Sequence, residues 1–221
     1  MRRVLFSNTN WSSPYVLSAF VSLREKGLEF EVRDVALHAA EHHSPEYAKQ
    51  TLTSRVPVLL EDDFALSESS AISEYLEEAY PAPHYARLLP SELRARARAR
   101  QVMAWLRSDL APLREERSAQ CVFFPLSELA PFPPLSAAGV AAARKLIAVA
   151  EQLVPQAAGP MFGDWCLADT DLAMMLQRLI KTDSPVPERI RRYAEAEWLR
   201  PSVRSFCAHE RPAFRPVIPQ F

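Results

Sequence analysis

Two neighbouring hydroxyls, those of Ser12 and Ser13, stand where an apolar run at residues 4–6 gives way to a helical pattern. Pro14 follows them, and its fixed φ suits the first position of a helix. The serines are therefore predicted at an N-cap, where side-chain oxygens meet backbone N–H groups that lack helical partners. Such a helix start attracts an anion. The alternative is that the serines only cap the helix, which is a common arrangement.

A second polar segment opens another predicted helix, at Ser67 or Glu68. It follows a V-P-V-L-L run and a D-D pair that predicts a hairpin turn between two strand-like runs. Backbone N–H groups at the start of this helix would bind a carboxylate. The alternative makes Ser67 and Glu68 a cap and a first-turn acid, and both interpretations can hold together.

Three motifs resemble those of the glutathione S-transferases in their order and spacing. They are S-P-Y-V after the first strand, V-P-V-L-L before the hairpin and E-S-S-A-I at the start of the next helix. The resemblance covers nearly the whole chain and includes W-L-R-S-D at residues 105–109 and A-D-T-D-L at residues 168–172. Within the family, the chain looks most similar to the serine-type cytosolic enzymes and to bacterial YfcF-type transferases.

This resemblance implies the glutathione transferase architecture. An α/β, thioredoxin-like domain ordered β-α-β-α-β-β-α would bind glutathione as co-substrate, and an all-α C-terminal domain would supply the electrophile pocket. The implied activity is attack of the glutathione thiolate on a small hydrophobic electrophile, or reduction of an organic hydroperoxide as a peroxidase. A cytoplasmic homodimer with a role in detoxification is also implied. The alternative hypothesis is a non-enzymatic glutathione-transferase-like binding or stress-response module.

In serine-type transferases the serine just before the proline stabilises the thiolate, which implies Ser13 here, with Ser12 as the alternative. A free thiol has a pKa near ~8.5, and lowering it by about two units takes roughly 2.7 kcal/mol. A hydrogen bond to a charged group supplies about 1.5–3 kcal/mol, and a helix N-terminus supplies about 0.3–1 kcal/mol. The serine and the helix start are therefore sufficient. Tyr15 is interpreted as a packing residue, and as a candidate for the electrophile pocket, rather than as a catalytic tyrosine.

The resemblance implies further glutathione contacts. A cis peptide bond at Val56-Pro57 would present the backbone of Val56 to the cysteinyl part of glutathione. Such bonds make up only about 5–6% of X-Pro bonds in folded proteins, so this expectation depends on the resemblance alone. At the next helix start, the backbone around Glu68 and Ser69 would bind the γ-glutamyl carboxylate, and the Glu68 side chain would bind the α-ammonium group.

The glycyl carboxylate needs a cation, and here the chain departs from its relatives. Related serine-type enzymes often have a lysine where this chain has His43. Histidine is mostly uncharged at neutral pH, so Arg55 is the alternative partner. His38, His42 and His43 lie close in sequence, but no acid or cysteine completes a known metal-ligand spacing, and no metal is predicted.

Hydrophobic periodicity and proline positions predict three regions: a thioredoxin-like domain at residues 1–80, a proline-rich linker at 81–90 and a helical domain at 91–221. In the first region the pattern predicts strands at residues 4–7, 29–34, 58–61 and 64–66, and helices at 14–26, after Ser44-Pro45 and from 67 or 68 to about 80. Gly27 is predicted to end the first of these helices. In the last region it predicts one long helix over 91–117, a loop with at most a short turn over 118–135, and helices over 136–153, 170–182, 187–200 and 202–209. The helix over 170–182 is apolar on most sides and is expected to be the buried central helix.

The wall of the electrophile pocket is expected on and just after the long helix. Its candidates are Trp105, Arg107, Arg114 and Phe123. Cys121 falls in the loop after that helix, where its thiol is expected to be accessible. Another cysteine, at position 166, occupies the place of the Ser/Thr in the family's Ser/Thr-x-x-Asp capping box. Because cysteine caps poorly, Asp169 or Thr170 is expected to take over.

Composition excludes several other classes of protein. The chain has 221 residues with a formal net charge of −1, which argues against a nucleic-acid or anionic-membrane partner held by bulk electrostatics. No apolar run approaches the roughly 20 residues that a bilayer span needs, and no secretory signal is visible. The three cysteines are odd in number and far apart, which favours reduced thiols in a cytoplasm.

Overall fold

A computed structural model describes residues 1–129 and 131–214. Its internal contacts divide the chain into two compact units. The first unit is Met1–Arg87 together with the chain from Ser205, and the second is Leu88–Arg204. The domain boundaries given above, at residues 80 and 91, stay a prediction.

The first unit contains a four-stranded mixed sheet with the strand order β2-β1-β3-β4. Strand β1 is parallel to β2 and antiparallel to β3, and β3 and β4 form an antiparallel hairpin. The predicted order β-α-β-α-β-β-α is confirmed. The elements are β1 Arg3–Asn8, α1 Pro14–Glu25, β2 Glu31–Val35, α2 Pro45–Ala48, β3 Val58–Glu61, β4 Phe64–Ser67 and α3 Ser69–Ala79.

The ends of these elements are set by residues that the sequence analysis singled out. Pro14 is the first residue of α1, and Gly27 follows its C-cap with φ +67°, a left-handed conformation that glycine adopts without a Cβ penalty. Ser44 caps α2 by accepting a hydrogen bond from the backbone N–H of Tyr47 at 3.2 Å. Asp62 begins the two-residue hairpin turn with φ +51°.

Helices α1 and α3 pack against each other, and a buried ion pair joins their ends. Lys26 is 3% exposed, and its Nζ lies 2.6 Å from Glu77 Oε2. The same ammonium group donates to the carbonyl of Tyr80 at 2.8 Å. A buried charge is tolerated only when it is paired and hydrogen-bonded, so this lysine fixes how the two helices end.

The second unit is helical, and α8 is its most buried helix in the described part of the chain. Helices α4, α6, α7 and α9 all contact α8, which confirms the predicted buried central helix. None of the helices in the described ranges combines the length and hydropathy that crossing a membrane requires. The elements are α4 Leu93–Ser108, α5 Ala111–Glu116, α6 Gln120–Phe123, α7 Ala137–Leu153, α8 Leu167–Ile180, α9 Glu188–Trp198 and α10 Pro201–Cys207, the last of which runs on into the first unit.

The single long helix predicted over 91–117 is wrong, because α4 and α5 are separate. Leu110 lies between them in the left-handed region, with φ +62°. Pro112 has no N–H to donate, and its ring would clash with the carbonyl of the preceding turn of a continuous helix. The guanidinium of Arg114 closes the break by donating to the carbonyl of Arg107 at 3.0 Å and to two further carbonyls near the end of α4.

The segment predicted as a loop over 118–135 contains α6 and a 3₁₀ turn at Leu126–Glu128. Cys121 lies on α6, which packs against α8. The expectation that its thiol is accessible is wrong, because the residue is only 2% exposed. Burial raises the pKa of the Cys121 thiol to about 11, so this cysteine stays a neutral thiol at physiological pH.

Candidate functional site

The N-terminus of α1 carries a serine hydroxyl whose oxygen accepts a hydrogen bond from the helix. Ser13 is the N-cap residue, and its Oγ accepts a hydrogen bond from the backbone N–H of Val16 at 3.3 Å. The side chain is half-buried. Within the described residues, the hydroxyl hydrogen of Ser13 is donated to no protein acceptor. The group can therefore donate to a ligand while it caps the helix.

Ser12 lies in a different environment from its neighbour. It is 4% exposed, and its Oγ accepts a hydrogen bond from Asn8 Nδ2 at 3.3 Å. Asn8 Oδ1 in turn accepts from the backbone N–H of Ser13 at 3.2 Å. Asn8 thus fixes the turn that carries both serines, a role that was not predicted from the sequence. The local signal for it is a polar residue at the end of an apolar strand.

The sheet brings the other predicted glutathione contacts to the same edge as this turn. Phe6 near the end of β1 pairs with Val58 at the start of β3. Val58 pairs in turn with Ser67, at the end of β4. The turn after β1, the Val56-Pro57 peptide before β3 and the start of α3 after β4 therefore meet at one edge of the sheet. The Val56-Pro57 bond is cis, as the resemblance implies.

The start of α3 carries an unusual backbone. Glu68 is the N-cap residue, with φ +74° and no side-chain cap bond, and its side chain is exposed. A non-glycine residue in this region costs of order 1–3 kcal/mol, and such residues cluster at functional sites. Ser69, the first helical residue, is 3% exposed. The exposed carboxylate and the first turn of α3 thus flank the same edge as Ser13.

Tyr47 supports the segment that precedes the cis bond. It is 4% exposed and belongs to a core cluster with Phe6 and Val58, and its hydroxyl donates to the carbonyl of Arg55 at 2.8 Å. Burial raises the pKa of Tyr47, so the hydroxyl stays a donor. The sequence alone does not reveal this role, because a tyrosine in a short helix gives no sign of a distant partner.

The two candidate cations for the glycyl carboxylate, His43 and Arg55, are both exposed. His43 ends a 3₁₀ turn, and its ring centroid lies 3.9 Å from that of His42. The pKa of His42 is lowered mainly by burial and, to a smaller extent, by the neighbouring His43. In the described ranges no three His, Cys, Asp or Glu side chains come close enough to hold a metal ion.

The pocket candidates in the helical unit each have an internal partner. Trp105 Nε1 donates to Asp109 Oδ2 at 2.9 Å, and Arg107 pairs with Asp171 at 2.7 Å. Arg114 closes the end of α4 as described above, and the Phe123 ring lies 6.1 Å from that of Trp198. Tyr15, in the first unit, is 37% exposed. Their role as a pocket wall stays a prediction.

A large cavity of the helical unit lies elsewhere. Its volume is about 1140 Å³, and none of Trp105, Arg107, Arg114 or Phe123 lines it. Its walls come from α7, the end of α8 and the two proline-containing segments at residues 132–135 and 182–187. The sequence alone does not reveal this cavity, because its walls are brought together only by helix packing.

The capping box at the start of α8 is closed and buried. Asp169 is 0% exposed and accepts hydrogen bonds from the backbone N–H groups of Cys166 and Met161, each at 2.9 Å. The Tyr193 hydroxyl donates to it as well, also at 2.9 Å. Cys166 stays the N-cap residue, and its sulfur accepts a hydrogen bond from the backbone N–H of Asp169. The expectation that Asp169 or Thr170 would take over as the cap is therefore wrong, and Asp169 completes the box from its third helical position. This helix start has no room for a ligand.

Comparison with known proteins places both halves of the chain in one family. Residues 5–78 match the family model "Glutathione S-transferase, N-terminal domain", and residues 92–211 match "Glutathione S-transferase, C-terminal domain". The second match alone covers more than half of the chain. The chain therefore belongs to the glutathione S-transferase family, as its motifs and fold indicate.

A solved structure supports this assignment over most of the chain. It is a glutathione transferase homologue from Burkholderia gl BGR1 with bound glutathione, 43% identical, covering 93% of this chain and 96% of that chain with a TM-score of 0.77. The chain is also 39% identical to glutathione S-transferase 1 of Dianthus caryophyllus over 93 residues, which is 42% of this chain and 41% of that relative. It is 29% identical to mouse glutathione S-transferase theta-3 over 117 residues, 53% of this chain and 48% of that relative. The matched segments span less than half of these two relatives.

Proposed function

We propose that this chain is a glutathione transferase in which the Ser13 hydroxyl donates a hydrogen bond to the glutathione thiolate. The observation that carries the proposal is the half-buried Ser13 at the start of α1, with its oxygen engaged by Val16 and its hydrogen undonated within the described residues. Ser12 is buried and bonded to Asn8, which favours Ser13 over its neighbour. The glutathione bound to the 43% identical Burkholderia homologue supports the choice of co-substrate.

The physical basis is the preference of this helix start for an anion. The backbone N–H of Val16 donates to the Ser13 oxygen, which polarises the hydroxyl and strengthens it as a donor. The positive end of α1 adds to the effect. Both favour the thiolate over the neutral thiol, so the pKa of bound glutathione falls below the value of about 8.5 for a free thiol.

The remaining contacts orient the tripeptide at the sheet edge. The backbone of Val56 before Pro57 pairs with the cysteinyl part. The start of α3 at Ser69 binds the γ-glutamyl carboxylate, because N–H groups at a helix start favour anions, and the exposed Glu68 binds the α-ammonium group. Arg55 and His43 are the candidates for the glycyl carboxylate, and the Tyr47 bond to the Arg55 carbonyl holds that segment in place.

The thiolate then attacks a small electrophile. In transfer, a sulfur–carbon bond forms, and the leaving group departs with its electron pair. With an organic hydroperoxide, the thiolate attacks the terminal oxygen, releasing the alcohol and leaving glutathione sulfenic acid. A second glutathione then gives the disulfide and water. A cytoplasmic homodimer, and the likeness to YfcF-type enzymes, stay predictions.

The test is to titrate the thiol of bound glutathione by its thiolate absorbance in wild type, Ser13→Ala and Ser12→Ala. We expect a lowered pKa in wild type, a return by about two units in Ser13→Ala, and little change in Ser12→Ala. A shift lost only in Ser12→Ala would assign the role to the other serine. Binding with an unshifted pKa in wild type would refute the catalytic proposal and favour the non-enzymatic module.

A further inference from the structure

The chain after α10 returns to the turn that carries the serines. Arg211 Nε and Nη2 donate to the carbonyl of Trp11 at 3.3 and 3.2 Å. It also donates to the carbonyls of Cys207 at 2.8 Å, His209 at 2.9 Å and Phe206 at 3.3 Å. One guanidinium therefore joins the end of α10 to a residue 200 positions earlier. We call residues 206–211 the C-terminal strap.

Aromatic contacts cover the same residue from the side. The His209 ring stacks on Trp11, with centroids 3.6 Å apart and planes 15° apart. The ring centroid of Phe206 lies 5.3 Å from that of Trp11 and 5.4 Å from that of Phe20 on α1. The strap thus packs on both Trp11 and the helix that Ser13 caps, and Trp11 is only 5% exposed.

Trp11 needs such support, because its backbone lies in the left-handed region with φ +46°. Bulky residues rarely adopt this conformation, and it persists only where surrounding structure imposes it. Trp11 is two residues before Ser13, and its backbone N–H donates to the carbonyl of Asn8 at 2.9 Å. Any relaxation of Trp11 toward ordinary φ values would rotate the peptides that carry the two serines.

We propose that His209 and Arg211 are positioning residues that hold Trp11 in this conformation and so aim the Ser13 hydroxyl at the glutathione sulfur. The inference rests on the proposed function of Ser13. It assigns to the strap a role beyond packing, since the contacts are made to the carbonyl and ring of the residue whose conformation sets the turn.

The experiment uses the full chain with glutathione as the probe and an acceptor electrophile for turnover. Arg211→Met removes the bonds to Trp11. Arg204→Met is the matched control, because Arg204 is an exposed arginine on α10 without a side-chain bond in the described part of the chain. His209→Ala removes the stacked ring and His209→Phe keeps an aromatic ring there. Each variant is measured for thiol pKa of bound glutathione, kcat, glutathione KM and Tm.

We expect Arg211→Met to raise the thiol pKa of bound glutathione by about one unit. At a pH below that pKa, kcat should therefore fall by about ten-fold, with little change in glutathione KM. Arg204→Met leaves all four quantities unchanged. His209→Ala shifts them in the same direction as Arg211→Met, and His209→Phe restores most of the loss. If Arg211→Met does not fold, the His209 pair decides the same question.

A lowered Tm with an unchanged thiol pKa and kcat in both Arg211→Met and His209→Ala would overturn the inference and leave the strap a packing element. Ser13→Ala measured in parallel separates this failure from failure of the proposed function. A thiol pKa that responds to Ser13→Ala but not to the strap variants refutes the strap alone. An unshifted thiol pKa in wild type refutes both.

Discussion

The helices α1 and α8 begin in opposite ways, although both follow a turn and both carry a capping side chain. At α8, Asp169 is fully buried and engaged by two backbone N–H groups and the Tyr193 hydroxyl. At α1, Ser13 is half-buried, and its hydroxyl hydrogen has no acceptor within the described residues. One helix start is closed by the protein, and the other keeps hydrogen-bonding capacity for a ligand.

This difference separates stability from function. A buried carboxylate with its hydrogen bonds made contributes to stability, because removing it would leave several buried donors unsatisfied. A half-buried serine cap contributes only its own bond, about 1 kcal/mol, but it can also bind a ligand. The two helix starts should therefore respond differently to substitution, to thiol reagents and to pH.

The largest expected effect is on stability at the closed helix start. Asp169→Ala should lower the free energy of unfolding by about 3 kcal/mol or more, since each unsatisfied buried donor costs about 1–3 kcal/mol. Urea unfolding followed by circular dichroism measures this change. The exposed Asp164 serves as the control, because Asp164→Ala should stay within about 0.5 kcal/mol of wild type. A loss below about 1 kcal/mol in Asp169→Ala would show that the box is not a main support of α8.

The second prediction concerns the open helix start, where activity should suffer more than stability. Ser13→Ala should cost only about 1 kcal/mol of unfolding free energy. Turnover should fall about 10- to 100-fold near neutral pH, because the thiolate loses its donor. Parallel unfolding and kinetic measurements check both numbers. If Ser13→Ala and Asp169→Ala lost the same unfolding free energy, the proposed difference between the two helix starts would be wrong.

A cysteine placed at each helix start sharpens the comparison further. In a Cys207→Ser background, Ser13→Cys should create a thiol that reacts quickly with a disulfide reagent, because helix N-termini lower the pKa of cysteine. Cys166, at the closed start, should not react in the folded protein, since burial raises its pKa and it is 1% exposed. Reaction rates against pH give the pKa of the new thiol, and a value at or above about 8.5 would contradict the prediction.

The smallest expected effect is on the pH dependence of stability. Burial raises the pKa of Asp169 above its ordinary value of 3.8, although hydrogen bonds from Met161 and Cys166 oppose the shift. A raised pKa means that the folded protein binds this proton more tightly than the unfolded chain. Its contribution to stability is therefore largest below pH 3.8 and falls as the pH rises through the raised value.

The difference in unfolding free energy between wild type and Asp169→Asn, followed across this range, isolates that contribution. It should decrease as the pH rises, and an increase would contradict the sign of the shift. The same measurement on Ser13→Ala should give a flat difference, because a serine does not titrate in this range.

Local signals predicted much of the fold. Three such signals are the serine caps, Gly27 after α1 and the D-D hairpin turn. Each acts through backbone conformation over a few residues, so each can be predicted from the local sequence. The prediction of one long helix over 91–117 is wrong because its apolar periodicity, at residues 95–106, stops before Pro112. Proline's missing N–H was the local signal that should have ended the helix.

The sequence by itself determined the family, the motif order and the candidates Ser13, Val56-Pro57 and Glu68. Only the tertiary structure decided which serine is buried, because that depends on Asn8 at the end of β1. It alone brought Tyr47 to Arg55, buried Cys121 against α8 and joined Arg211 to Trp11. These contacts are made across many residues of chain, and side chains so far apart become neighbours only when packing closes the intervening loops.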